Sequence, residues 1–161
     1  MSKRKAIAAL AVMLAAGAVQ AAVERSTEEE ALALIRSAQA YIKTNGLERA
    51  VEEFNRLDSP YNSKSEINPK GDLYLYTLDQ KGYQAVHGKN PKIRGKVMIE
   101  MRDSDGVFVI RELAKKCYSP EGRGWANYRW PNPVTGNLES KVGYVERVPG
   151  MDLCLGTGIY K

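Results

Sequence analysis

Apolar residues recur at helical spacing just beyond residue 22 and at alternating spacing through most of the chain after Gly71. Ala31, Leu34, Ile35, Ala38, Tyr41 and Ile42 lie three and four apart, a single stripe that predicts a long amphipathic helix. Ser26 and Thr27 each have a glutamate three residues on, Glu29 and Glu30, so either can close a capping box at its start. Asn45-Gly46 is the expected stop, since both residues tolerate left-handed backbone. Leu47, Ala50, Val51 and Phe54 predict a second, shorter helix with Glu48, Arg49, Glu52 and Glu53 outside. Asp58 to Gly71, with two prolines and several Ser and Asn, reads as a connecting loop.

Beyond Gly71 the pattern predicts strands. Leu73 to Leu78, the turn Asp79-Gln80-Lys81-Gly82 and Tyr83 to His87 read as a hairpin, and Lys96 to Met101 as a further strand. Asp103 to Gly106 is a turn. Val107 to Cys117 comes next as a helix with Val107, Ile110, Leu113 and Ala114 on one face. Trp125 to Trp130, Ser140 to Val148 and Leu153 to Tyr160 are the remaining strands. Helices segregated from hairpin-linked strands give an α+β class. The expected architecture is a PAS-like antiparallel β-sheet with the long N-terminal helix packed on it.

The first 21 residues stand apart. Lys3, Arg4 and Lys5 precede an apolar run from Ala6 to Val19, and Val19-Gln20-Ala21 offers small residues at the positions a signal peptidase reads. The run is shorter than the roughly 20 residues a membrane span needs. A signal peptide over 1–21 is therefore expected, cleaved after Ala21 with Ala22 as the neighbouring choice, and one domain over 22–161. The protein would then be periplasmic, and membrane-anchored only if the segment is not cleaved. The charge picture changes with it: +5 for the whole chain becomes about +2, because the three cations leave and no acid does. That small excess, with no basic stripe among aromatics, argues against nucleic acid as a partner.

The chemistry left to this chain is narrow. His87 is the only histidine, which excludes a multi-histidine zinc site, and no nucleophile elbow or phosphate-cradling glycine loop is present. Asp103-Ser104-Asp105-Gly106 resembles the start of a calcium loop, but its glycine comes too early and no closing glutamate is present. Neither enzymatic activity nor a cofactor is expected. Cys117 and Cys154 either bridge, as an oxidising compartment allows, or sit as separately buried thiols. What remains is aromatic and cationic. Alternation puts Ala126, Tyr128 and Trp130 on one face of a strand, and Tyr74 and Tyr76 share a face of the first hairpin, as do Ala85 and His87. Lys141 opens the next strand. Rings that wall off water, one imidazole and one inward lysine suit a pocket for a small carboxylate. Tyr76, His87, Tyr128, Trp130 and Lys141 are the candidate ligand-binding residues, with Lys141 pairing the acid.

Several tracts, in order and spacing, carry a resemblance. They are Asp72-Leu73-Tyr74-Leu75-Tyr76 with its Asp79-to-Gly82 turn, His87-Gly88-Lys89-Asn90-Pro91 with Gly95-Lys96, and Asp103 through Gly106-Val107-Phe108. Gly124-Trp125-Ala126-Asn127-Tyr128-Arg129-Trp130-Pro131-Asn132-Pro133, Lys141 through Tyr144-Val145, and Gly156-Thr157-Gly158-Ile159-Tyr160 complete them. With these the chain resembles the single Cache family, type 2, of bacterial extracytoplasmic sensor domains. The resemblance implies a PAS-like sheet flanked by a long N-terminal helix, and binding of small ligands, often short organic acids. Members usually sit between two membrane helices of chemoreceptors or histidine kinases. Here the leading helix reads as cleavable and no second span is seen, so a separate membrane receptor or kinase is the expected partner in signal transduction. The alternative is a structural or interaction protein of the cell envelope that binds no ligand and uses its N-terminal helix for a homodimer or partner contact.

Overall fold

The computed structural model describes residues 22–161; the expected signal peptide, 1–21, lies outside the described residues. Helix α1 spans Glu28–Asn45 and α2 spans Leu47–Asn55. Thr27, not Ser26, closes the capping box: its hydroxyl accepts the Glu30 N–H at 3.2 Å, and the Glu30 carboxylate accepts the Thr27 N–H at 2.7 Å. Ser26 instead donates its N–H and its hydroxyl to the buried carboxylate of Asp72, at 2.9 and 2.5 Å. Gly46, at φ 84°, forms the corner between the helices, a conformation a side chain would strain. The expected stripe of α1 is buried, with Tyr41 at its edge against Phe54. Ala50 and Phe54 are the buried residues of α2, while Leu47, expected on the same face, is exposed at the corner.

The remaining elements are β1 (Tyr76–Leu78), β2 (Tyr83–Gln84), β3 (Lys96–Val97), α3 (Val109–Cys117), β4 (Arg123–Pro131), β5 (Leu138–Arg147) and β6 (Cys154–Tyr160). An antiparallel sheet runs in the order β1-β6-β5-β4, and β2 pairs with β3 beside it. The α+β class is as expected, but the first strands are shorter than the alternation predicts. Leu73, Tyr74 and Leu75 are wholly buried, and side chains rather than a neighbouring strand satisfy much of the backbone here. The Asn68 amide brackets Leu73, donating to its carbonyl at 2.8 Å and accepting its N–H at 3.3 Å, and the Asn62 amide oxygen accepts the Leu75 N–H at 3.0 Å. The return strand is held by single bonds, Thr77 N–H to the Val86 carbonyl and Gly88 N–H to the Leu75 carbonyl. After Val97 the chain turns, with the Met101 N–H bonded back to Met98.

The sheet separates two apolar clusters. One side packs Tyr144, Leu155 and Ile159 under α1, and the other packs Tyr76, Tyr128, Val145 and Cys154 under α3. A disulfide joins Cys117, the last residue of α3, to Cys154, the first of β6, with Cα atoms 6.2 Å apart. Of the two readings the sequence left open, the bridge is the one the fold adopts. Among the described residues no helix is long and apolar enough to cross a membrane.

Candidate ligand-binding site

The site lies on the α3 side of the sheet, and strand register builds its floor. Tyr128 on β4 pairs with Lys141 on β5, and Lys141 pairs with Tyr160 on β6, so one row across three strands carries phenol, amine and phenol on a common face. The neighbouring rows are stripped of side chains at Gly143, Gly158 and Gly156. A Cβ on Gly156 would meet the Tyr76 ring, one on Gly143 the Tyr128 hydroxyl, and one on Gly158 the Lys141 stem. Glycine at these positions therefore lets the rings and the lysine lie flat on the sheet.

All five residues singled out from sequence, Tyr76, His87, Tyr128, Trp130 and Lys141, line a single cavity. Tyr74, Gln84 and three α3 residues, Val109, Ile110 and Leu113, complete its wall. The His87 ring sits among the others, with centroids 5.0 Å from Tyr74, 6.5 Å from Tyr76 and 6.2 Å from Trp130. Its Nδ1 accepts the backbone N–H groups of Asn90 (3.0 Å) and Lys89 (3.3 Å), which places the imidazole proton on Nε2. Burial, with Lys141 and Arg94 nearby, pushes the His87 pKa down to about 3, so the ring is neutral.

Lys141 is 1% exposed. Its Nζ makes one hydrogen bond among the described residues, to the Tyr74 hydroxyl at 2.6 Å. Tyr74 Oη lies 3.4 Å from Tyr160 Oη, which donates to the Pro131 carbonyl at 2.8 Å, so the relay leads to backbone and not to a carboxylate. Burial drives the Lys141 pKa well below the ordinary lysine value, and the opposing pull of Asp72 is lesser. Both oxygens of Asp72 are already engaged by Ser26. The site thus holds a buried amine with no carboxylate paired to it, and charging that amine is expensive unless an anion arrives. The space left between the walls is about 10 Å³, room for one water. The open vacancy expected from sequence is closed here, because the rings and the apolar face of α3 fill it. A carboxylate of several heavy atoms enters only with a side chain or α3 displaced.

Sequence reasoning missed Tyr74 as the direct partner of Lys141, although its shared face with Tyr76 was legible. Gln84 was missed because alternation over the expected strand Tyr83 to His87 puts it on the face opposite His87, whereas the strand ends at Gln84 and both residues line the cavity.

A family model described as Cache domain matches residues 23–161. The chain belongs to the Cache domain family. Among curated proteins this Cache domain is 30% identical over 89 residues to the sensor histidine kinase MctS of Rhizobium johnstonii, which covers 55% of this chain and 19% of that protein. It is 28% identical, also over 89 residues, to the methyl-accepting chemotaxis protein McpP of Pseudomonas putida, covering 55% of this chain and 16% of that protein. The match therefore spans less than a fifth of either relative. A crystal structure of a methyl-accepting chemotaxis protein from Vibrio parahaemolyticus superposes with a TM-score of 0.65 at 25% identity, over 83% of this chain and 87% of that one. A Cache chemosensory domain solved for its recognition of carboxylic acid gives 0.58 at 25% identity, over 79% and 83%. A periplasmic sensor domain of a chemotaxis protein, at 20% identity and 0.60, shares the fold. Cache domains are ligand-sensing modules of chemotaxis receptors and histidine kinases, and this chain carries one.

Proposed function

We propose that this Cache domain binds a short organic acid in the periplasm and reports it through a membrane receptor or kinase partner. The observation that carries the reading is Lys141, a buried amine walled by rings with no carboxylate paired to it. A ligand carboxylate would pair with Lys141 Nζ and accept from His87 Nε2–H, while Tyr76, Tyr128 and Trp130 exclude water and strengthen both bonds. Residues 1–21 act as a cleaved signal peptide that delivers the domain 22–161. The relative solved for carboxylic acid recognition supports the ligand class, and the kinase and chemotaxis relatives support the signalling role.

The test is calorimetry with acetate, propionate, pyruvate and lactate on protein taken from the periplasm, whose mass should place the first residue at Ala22. Wild type is expected to bind at least one of these acids. Lys141→Met should weaken that binding by ~30-fold or more, the effect of removing one member of a buried charge pair. Equal affinity in the variant would remove Lys141 from the site.

One observation favours a second reading, a cavity filled by its own side chains in a structural protein that docks through α1: the space is about 10 Å³. A thermal-shift screen separates the two, since a ligand of the folded state raises the melting temperature by mass action.

A further inference from the structure

We propose that Gln84 determines the specificity of this cavity, selecting a short carboxylic acid that bears a hydroxyl on its chain over the unsubstituted acid of equal length. The inference rests on the carboxylate reading above and extends it to the uncharged end of the ligand. Gln84 sits on β2, is 2% exposed and lines the cavity shared with Lys141. Its backbone is occupied, the carbonyl accepting the Gly95 N–H at 2.8 Å. Its side-chain oxygen is buried and has no hydrogen-bond partner among the described residues.

Several of the neighbouring polar atoms are engaged elsewhere, while His87 Nε2–H is the donor assigned to the carboxylate above. Tyr76 Oη donates to the Thr157 carbonyl at 3.2 Å, the Tyr74 hydroxyl accepts from Lys141, and His87 Nδ1 accepts from backbone. From α3 come only Val109, Ile110 and Leu113, whose side chains donate nothing. A buried amide oxygen left unpaired is costly, so whatever fills the cavity is selected for a group that satisfies it. A hydroxyl both donates and accepts and therefore suits the amide in either orientation. A methyl or methylene in its place leaves the amide oxygen unpaired. Lys141 and His87 then read the carboxylate, and Gln84 reads what the rest of the molecule carries.

Calorimetry at one pH decides the matter, comparing propionate with lactate in both optical forms and with pyruvate as the keto control. Wild type should bind one form of lactate on the order of tenfold more tightly than propionate, the effect of one satisfied buried polar group. In Gln84→Met that ratio should fall to about one, through loss of lactate affinity. Equal binding of lactate and propionate by wild type overturns the proposal without any variant, as does a ratio unchanged in Gln84→Met; a bound water would then satisfy the amide. Preference for pyruvate over lactate overturns it too. Failure of all these acids to bind wild type overturns the carboxylate reading and this inference together, whereas binding without discrimination overturns this inference alone.

Discussion

At Lys141 two opposing electrostatic effects set the behaviour of the whole site. Burial disfavours the ammonium, and the Tyr74 hydroxyl, as a neutral partner, offsets little of that cost. A carboxylate brought alongside favours the ammonium, so binding should draw a proton onto Nζ whenever the free site is neutral. The groups around it do not compete: His87 is held neutral down to about pH 3, and burial raises the Tyr74, Tyr76, Tyr128 and Tyr160 phenols. Affinity for the acid is therefore expected to fall as pH rises above the free-site pKa of Lys141, with a limiting slope of ~tenfold per pH unit for one linked proton. Calorimetry in two buffers of different ionisation enthalpy measures the uptake directly. No uptake at any pH from about 6 to about 9 would mean that Lys141 is charged before the ligand arrives.

Between elements, α3 is the roof of the cavity and its attachment is covalent. Val109, Ile110 and Leu113 cover the rings, and one turn beyond Leu113 the same face ends in Cys117, tied to Cys154 at the start of the glycine-bearing floor strand β6. The bridge spans 37 residues, a loop whose closure in the unfolded chain corresponds to roughly 4 kcal/mol on the chain-entropy estimate. Cys117→Ala with Cys154→Ala should lower the urea midpoint by the equivalent of about 2–4 kcal/mol, measured against wild type without reductant. A variant with an unchanged midpoint would show that packing of α3 alone holds the roof. The floor is equally intolerant of bulk, since the Gly156 and Gly143 positions are occupied by the Tyr76 and Tyr128 rings.

Over the whole molecule, the start of the described chain is strapped to the far end of the sheet. Arg25 pairs with Glu139 of β5 at 2.6 Å, Ser26 holds Asp72, and Lys70 reaches Glu30 at 2.7 Å, so that the entry to α1 is fastened at three points. Arg25 foremost, then Asn132 and Thr135, hold the Glu139 carboxyl down at about 2 from an ordinary 4.5. A depressed folded-state pKa stabilises above the unfolded value and is lost as pH falls toward the folded one. Glu139→Gln should therefore lower the melting temperature at neutral pH. The gap to wild type should close as pH drops from about 4.5 toward 2, by thermal melts across that range. A gap independent of pH would assign the loss to the amide's altered hydrogen bonds rather than to charge.

What was legible in the residues alone is what backbone geometry repeats locally. The stripe of α1, the Asn45-Gly46 corner and the alternation that aims Tyr128 and Trp130 to one side all arise from periods of about 3.6 and 2, which need no knowledge of distant chain. Lys141 could be named because a lysine opening a strand beside ringed neighbours is costly without an anion. Other features depended on segments far apart in sequence. Asn62 and Asn68 replace a strand partner for Leu73 and Leu75, which is why alternation over-extended β1. Register alone put Lys141 between Tyr128 and Tyr160, and it put the bare glycines of β6 beneath Tyr76 and Lys141. Gln84 turned inward, and α3 closed the cavity to the size of one water. Those outcomes are sums of packing over the whole chain, where a shift of one residue in a strand exchanges the two faces, and no local pattern contains them.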